Sequence, residues 1–185
     1  VSDKVKTGID EKWKSSDKPL VPFGSGKTAE YLSVETEAAS DGWLLGQKTY
    51  CADLLAKWSM QDCRPVASME DAPEKIEDEE EPPLAEVRLA QRMAGGLNLL
   101  ATCARPDIAF IVSQLASAAT RAPQRALALG KRVLRYLAGT RTHGLELRLS
   151  TASRSGDAEA MLEGVGDASY EEGWAQTGVL IKFRG

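Results

Sequence analysis

Arg105-Pro106-Asp107-Ile108-Ala109-Phe110-Ile111-Val112-Ser113-Gln114-Leu115 and Gly130-Lys131-Arg132-Val133-Leu134-Arg135-Tyr136-Leu137-Ala138-Gly139-Thr140 decide how the chain is read. Both stretches repeat apolar residues at helical spacing. In the first, Pro106 suits a helix start, where a missing N–H costs little, and Ile108, Ile111, Val112 and Leu115 share one face. Asp107 sits at the amino end of that helix and is expected to cap or stabilise it. The second stretch continues a helix that begins near Pro123. It turns Leu127, Gly130, Val133, Leu134 and Leu137 toward a core and reaches a natural stop at Gly139. Upstream, Leu89, Met93, Leu97 and Leu100 line a further helix, in which Gly95-Gly96 implies a close helix contact or a kink. Together these runs form a three-helix centre.

Outward from this centre the period changes. Tyr31 to Glu37 alternates like a strand, Ser40-Asp41-Gly42 signals a turn, and Trp43 to Gln47 returns as the hairpin partner. From Thr49, Tyr50, Leu54, Leu55 and Trp58 form the apolar face of a helix ending before Cys63-Arg64-Pro65. Residues 1–18 are lysine-rich, with Ile9 and Trp13 on one helical face, and suggest a short helix or a partly ordered arm. Beyond the centre, Leu145, Leu147 and Leu149 mark a strand, followed by a polar loop over 150–158. Met161 to Val165 and Gly178 to Phe183 are expected as neighbouring strands around a turn-like Asp167 to Thr177 segment.

The formal charge of -4 conceals an asymmetry. Residues 70–86 hold nine acids against Lys75, a local charge of -8, so the remainder of the chain sums to +4. So acidic a block cannot bury enough apolar surface to offset its ordering entropy, and it is expected to be a linker or solvated loop. By contrast, Arg121, Arg125, Lys131, Arg132 and Arg135 gather on one helix and its entry. Unpatterned charge of this kind is what phosphate-backbone binding requires. Pairing with a protein partner or with the acidic block, and an ordinary solvent face, are the alternatives.

Other motifs are weaker. Gly24-Ser25-Gly26-Lys27-Thr28 imitates a phosphate loop, but the glycine needed five residues before Gly26 is Val21. Cys51, Cys63 and Cys103 are odd in number and lack zinc spacing, so reduced, largely buried thiols are expected, which suits an intracellular compartment of unknown kind. No apolar run is long enough to span a membrane. His143 has no identifiable metal or general-base partner. Asp167 follows a strand-like segment that could hold it toward a metal, yet cleavage through two metal ions needs several converging carboxylates. Glu171 and Glu172 lie nearby in sequence, among turn-like neighbours.

These residues resemble the copia-type (Ty1/copia) retroelement polyprotein, where the reverse transcriptase thumb and connection run into RNase H. The resemblance rests on Tyr31 to Glu37, Asp41 to Gln47, Met60 to Val66, Arg105 to Ile108, Val112 to Leu115 and Lys131 to Thr140. It implies an origin in an RNA-directed DNA polymerase whose catalytic aspartates would lie before Val1. It also places Asp167 on the first RNase H carboxylate, as a partial or vestigial site, with Ser169 standing where the family has a second aspartate. No cofactor is implied for this chain alone, and Mg2+ is implied for the intact polymerase and RNase H.

The expected fold is therefore α+β. Residues 1–69 form an arm, hairpin and helix, 70–86 an acidic linker, 87–149 a thumb- or connection-like helical region, and 150–185 truncated RNase-H-like strands. The expected role is non-catalytic, gripping an RNA/DNA duplex through its phosphate backbone within the intact precursor. The alternative is a domesticated structural subunit that binds other proteins in an assembly.

Overall fold

The computed structural model describes residues 28–38, 42–69, 81–148, 161–171 and 174–184. The amino-terminal arm with Ile9 and Trp13, the Gly24 to Lys27 loop, the acidic residues 70–80, Leu149 with the 150–158 loop, and Glu172 lie outside them.

Four α-helices carry the core of the described chain: α1 (Lys48–Lys57), α2 (Leu84–Cys103), α3 (Ala109–Ala118) and α4 (Pro123–Gly139). A 3-10 turn over Pro106–Ile108 leads into α3, with the proline in its first turn as expected. One cluster joins all four helices: Cys51, Leu54 and Leu55 from α1 pack with Met93, Leu97 and Leu100, with Val112 and Leu115, and with Leu129, Val133, Leu134 and Leu137. Each helix contributes an i, i+3, i+4 stripe, which is why the centre was legible.

The buried stripe of α2 lies one residue away from its expected start. Ala90 is fully buried, whereas Leu89 is 38 % exposed. The small alanine lets α2 approach its neighbours closely, and the same logic applies to its glycines. A Cβ on Gly96 would lie 2.9 Å from Leu54 Cδ1, and the Tyr50 hydroxyl donates to the Gly96 carbonyl at 3.1 Å. Gly95 faces open space. Of the two readings of this pair, close contact holds, and Gly96 alone makes it. Gly130 serves the α2–α4 crossing in the same way, since a Cβ there would meet Met93 Cγ at 2.9 Å and Leu115 Cδ1 at 3.0 Å.

A four-stranded antiparallel sheet, ordered β1-β2-β3-β4, combines β1 (Thr28–Tyr31), β2 (Val34–Ala38), β3 (Gly42–Gly46) and β4 (Leu145–Arg148). The single strand expected over Tyr31 to Glu37 is thus broken. Leu32 and Ser33 both take left-handed backbone, with φ of 50° and 62°, and turn β1 back on β2 in a two-residue hairpin. Such turns favour Asn-Gly, so neither residue announces it. The expected pairing of β2 with β3 is present, and β4 returns from the end of the helices to pair with β3. Gly144 admits this return, because a Cβ there would collide with the Leu45 carbonyl.

From β2, Glu35 reaches across to the start of α1. The Thr49 amide donates to Glu35 Oε1 at 2.7 Å, so this remote carboxylate satisfies an amide that Gln47 at the helix boundary does not cap. Burial alone would raise the Glu35 carboxyl, but hydrogen bonds from Thr49 and Lys48 and the Lys48 charge leave it below its ordinary value.

β5 (Met161–Glu171) and β6 (Trp174–Arg184) form a separate two-stranded antiparallel sheet. Pairing runs without a break from Met161↔Arg184 to Glu171↔Trp174. The turn-like reading of Asp167 to Thr177 is corrected: both strands continue through it, and Asp167 sits in mid-strand opposite Gly178. The architecture is mixed helix and antiparallel sheet, in keeping with an α+β class. No helix among the described residues is long and apolar enough to cross a membrane.

Candidate nucleic-acid interface

A polar knot ties the two deciding stretches together. Arg105 is 3 % exposed, and its guanidinium grips the Asp107 carboxylate through two bonds, Nε to Oδ1 at 2.9 Å and Nη2 to Oδ2 at 2.8 Å. It also donates to the Thr140 carbonyl and hydroxyl, both at 2.8 Å. The Tyr136 hydroxyl donates to Asp107 Oδ2 at 2.9 Å, and the guanidinium carbon lies 5.6 Å from the Tyr136 ring centre. The chain entering α3 is thereby tied to the last turn of α4.

Charge holds this knot together. Burial alone would raise the Asp107 carboxyl, but the Arg105 hydrogen bonds and charge, with the Tyr136 hydroxyl, outweigh it and hold the group below its ordinary value. Burial would likewise lower Arg105, and the Asp107 contact more than reverses this, so the guanidinium stays charged. Of the two expected roles of Asp107, the side-chain cap is not made at the start of the 3-10 turn or of α3, while its place as the acid of the first turn stands. A bidentate arginine competes better for the carboxylate than a single amide does. Gly139 is the last residue of α4, as expected, though it ends the helix without left-handed backbone; a Cβ there would lie 3.1 Å from Pro65 Cβ.

The five basic candidates are spread along α4 and its entry. Arg121 precedes α4 and is exposed, Lys131 is exposed, and Arg125, Arg132 and Arg135 are half-buried. Lys131 and Arg135 face away from the buried stripe, whereas Arg125 lies one turn before Leu129 in its i, i+4 row and Arg132 flanks it. Two of them also hold their own chain. Arg132 Nη2 donates to the Ser68 carbonyl at 3.1 Å, and Arg135 Nε donates to the Arg64 carbonyl at 2.9 Å. Among the described residues, Arg121, Arg125, Lys131 and Arg135 form no ion pair with a carboxylate. Arg125 Nε is buried without a hydrogen-bond partner.

Sequence reasoning missed one member of this surface. Arg64 lies far from the helix in sequence, yet its carbonyl contacts Arg135 and its side chain is exposed. Its only signal was its place in Cys63-Arg64-Pro65-Val66, just after α1.

Two clefts border the knot. One, of about 450 Å3, is lined by Arg105, Asp107, Tyr136, His143 and Glu146, among others. The other, of about 560 Å3, is lined by Met69, Phe110, Ile111, Gln114 and Tyr136, among others, with Phe110 57 % exposed.

Asp167 is exposed on β5. Among the described residues no three His, Cys, Asp or Glu side chains converge on a common metal position. Asp167 thus provides one ligand where two-metal chemistry needs several, and these residues by themselves do not fit Mg2+. All three cysteines are free, but only Cys51 is fully buried, with Cys63 and Cys103 half-exposed.

Over 118 residues, 64 % of the chain, the sequence is 32 % identical to the Retrovirus-related Pol polyprotein from transposon RE1 of Arabidopsis thaliana. The corresponding polyprotein from transposon RE2 of the same plant matches equally, at 32 % over 118 residues. The match spans 8 % of the length of each of these relatives. No protein-family profile matches the chain, and no solved structure matches it.

Proposed function

We propose that this chain is the part of a copia-type retroelement polyprotein that follows the polymerase core, and that α4 grips an RNA/DNA duplex through its phosphates. Similarity to two retrovirus-related Pol polyproteins supports the origin. The observation that carries the role is the basic run of α4 and its entry, of which Arg121, Arg125, Lys131 and Arg135 have no carboxylate partner among the described residues. Cations in this state can exchange bulk counterions for phosphates without first breaking an ion pair. The arginine knot would keep the end of α4 fixed against the α3 entry while that exchange occurs. Catalysis would belong to other parts of the precursor, where Mg2+ would be held by fuller carboxylate sets. Asp167 would be a partial or vestigial member of an RNase H site. Three free thiols suit an intracellular setting.

Binding of a labelled RNA/DNA hybrid, followed by anisotropy across a salt series, tests this role. Five phosphate contacts give a slope of log K against log salt of about -4 to -5, a loss of roughly 10²- to 10³-fold between 50 and 200 mM. A flat salt response, or no binding at low salt, would reject duplex gripping.

A second reading, as a protein-assembly subunit, has the exposed Phe110 in its favour, beside Met69 and Ile111 in an apolar-lined cleft. Under that reading Phe110→Ala abolishes complex formation with a protein partner and leaves hybrid binding unchanged.

A further inference from the structure

We infer that Arg64-Pro65-Val66 is a saddle that positions Arg135 and adds Arg64 as a further phosphate ligand of the α4 surface. The inference rests on the duplex-gripping reading and deepens it. Three contacts seat the tripeptide on the last two turns of α4. Arg135 Nε donates to the Arg64 carbonyl at 2.9 Å, and the Val66 amide returns a long bond to the Arg135 carbonyl at 3.4 Å. Between them, Pro65 packs on Gly139, one helical turn beyond Arg135. The side chain and the backbone of one arginine are thus both engaged by residues two positions apart.

This arrangement has a chemical consequence. A guanidinium carries five N–H donors in a planar fork. Spending Nε–H on a carbonyl leaves the Nη donors and the full positive charge, while it restricts the rotamers that a free surface arginine would have to surrender on binding. A neutral carbonyl orients the cation without neutralising it. The same bond brings the Arg64 backbone against the Arg135 side chain, so a phosphate held by Arg135 lies within reach of the exposed Arg64 side chain. Proline at 65 stiffens the saddle, and glycine at 139 lets it sit close: an added Cβ would lie 3.1 Å from Pro65 Cβ and push the proline outward by a few tenths of an ångström.

The saddle is therefore a positioning element and Arg64 a contact, and the two separate in a salt titration. With the same RNA/DNA hybrid, Arg64→Ala is expected to weaken binding about 5- to 10-fold at 100 mM salt and to reduce the magnitude of the salt slope by about one. Gly139→Ala is expected to weaken binding about 3- to 10-fold with an unchanged slope, because no charge is lost. Pro65→Ala provides a milder second test of the same contact, with a smaller loss in the same direction. Exchange of the Val66 amide with deuterium, faster in Gly139→Ala than in wild type, would show that the saddle has lifted while circular dichroism stays native. Wild-type binding with a steep slope that Arg64→Ala and Gly139→Ala both leave untouched would overturn the inference while leaving the duplex reading intact. Absence of salt-dependent binding by the wild type would overturn both.

Discussion

Replacing Arg105 by alanine removes a nearly buried cation that makes two bonds to the Asp107 carboxylate and two to Thr140. Breaking one side of a buried, hydrogen-bonded pair costs about 3–5 kcal/mol. The Asp107 side chain is 38 % exposed, so water can resolvate its carboxylate, and the loss from the pair falls to about 2–3 kcal/mol. The buried stem of the arginine adds roughly 1 kcal/mol of packing. Arg105→Ala should thus cost about 3–4 kcal/mol, a large part of a small domain's stability. Arg105→Lys should cost roughly 2 kcal/mol, because an ammonium cannot hold a planar two-pronged carboxylate contact. Urea unfolding followed by tryptophan fluorescence reads both variants through the midpoint at constant m. A double-mutant cycle with Asp107→Ala should give a coupling of about 1.5–3 kcal/mol. The pH dependence follows from the lowered Asp107 carboxyl. A group held lower in the folded state contributes stability that is present above its unfolded value, near 4, and is lost as pH falls through the folded one. A cost below about 1 kcal/mol for Arg105→Ala, or no coupling to Asp107, would refute the reasoning.

The two adjacent glycines of α2 should respond in opposite directions. Gly95→Ala, in open space on a helix, should stabilise by about 0.5–1 kcal/mol, whereas Gly96→Ala drives a Cβ to 2.9 Å from Leu54 Cδ1 and should lose at least that much by thermal unfolding. Glu35→Ala removes the remote cap from the Thr49 amide and should cost about 1 kcal/mol, read most sharply as faster amide exchange in the first turn of α1. Thiol titration of the folded chain should label Cys63 and Cys103 quickly and Cys51 slowly. Burial raises the Cys51 thiol, outweighing the lowering influence of Arg105 and Arg141, and the residue is 2 % exposed.

The helices were legible because Leu97, Leu100, Leu134 and Leu137 repeat at a period that few other structures share. Positions within the stripe were less legible. Leu89 outranks Ala90 in hydrophobicity, but close packing of α2 favours the smaller residue. The β1–β2 turn was hidden because Leu32-Ser33 lacks the glycine or asparagine that usually marks positive φ. Strand alternation over 161–165 was visible, yet its continuation through Asp167 depends on pairing with Gly178, which local sequence does not encode. At the candidate site, the basic cluster could be read from helical spacing alone. Its neighbours could not. Arg105 with Tyr136, and Arg64 with Arg135, meet across long stretches of chain, and a single sequence carries no record of such pairs. Asp107 was placed correctly at a helix entry but assigned the local partner, a backbone amide, when a stronger and more distant set was available.

Mapping where a duplex touches the protein tests the central claim most directly. Backbone amide and arginine side-chain resonances would be followed by NMR as an RNA/DNA hybrid is added at low salt, then reversed by added salt. The account predicts shifts concentrated on Arg121, Arg125, Lys131, Arg132, Arg135 and Arg64, fading together as salt rises. Shifts centred instead on Phe110 or on the β5–β6 hairpin, with the α4 arginines unmoved, would contradict it.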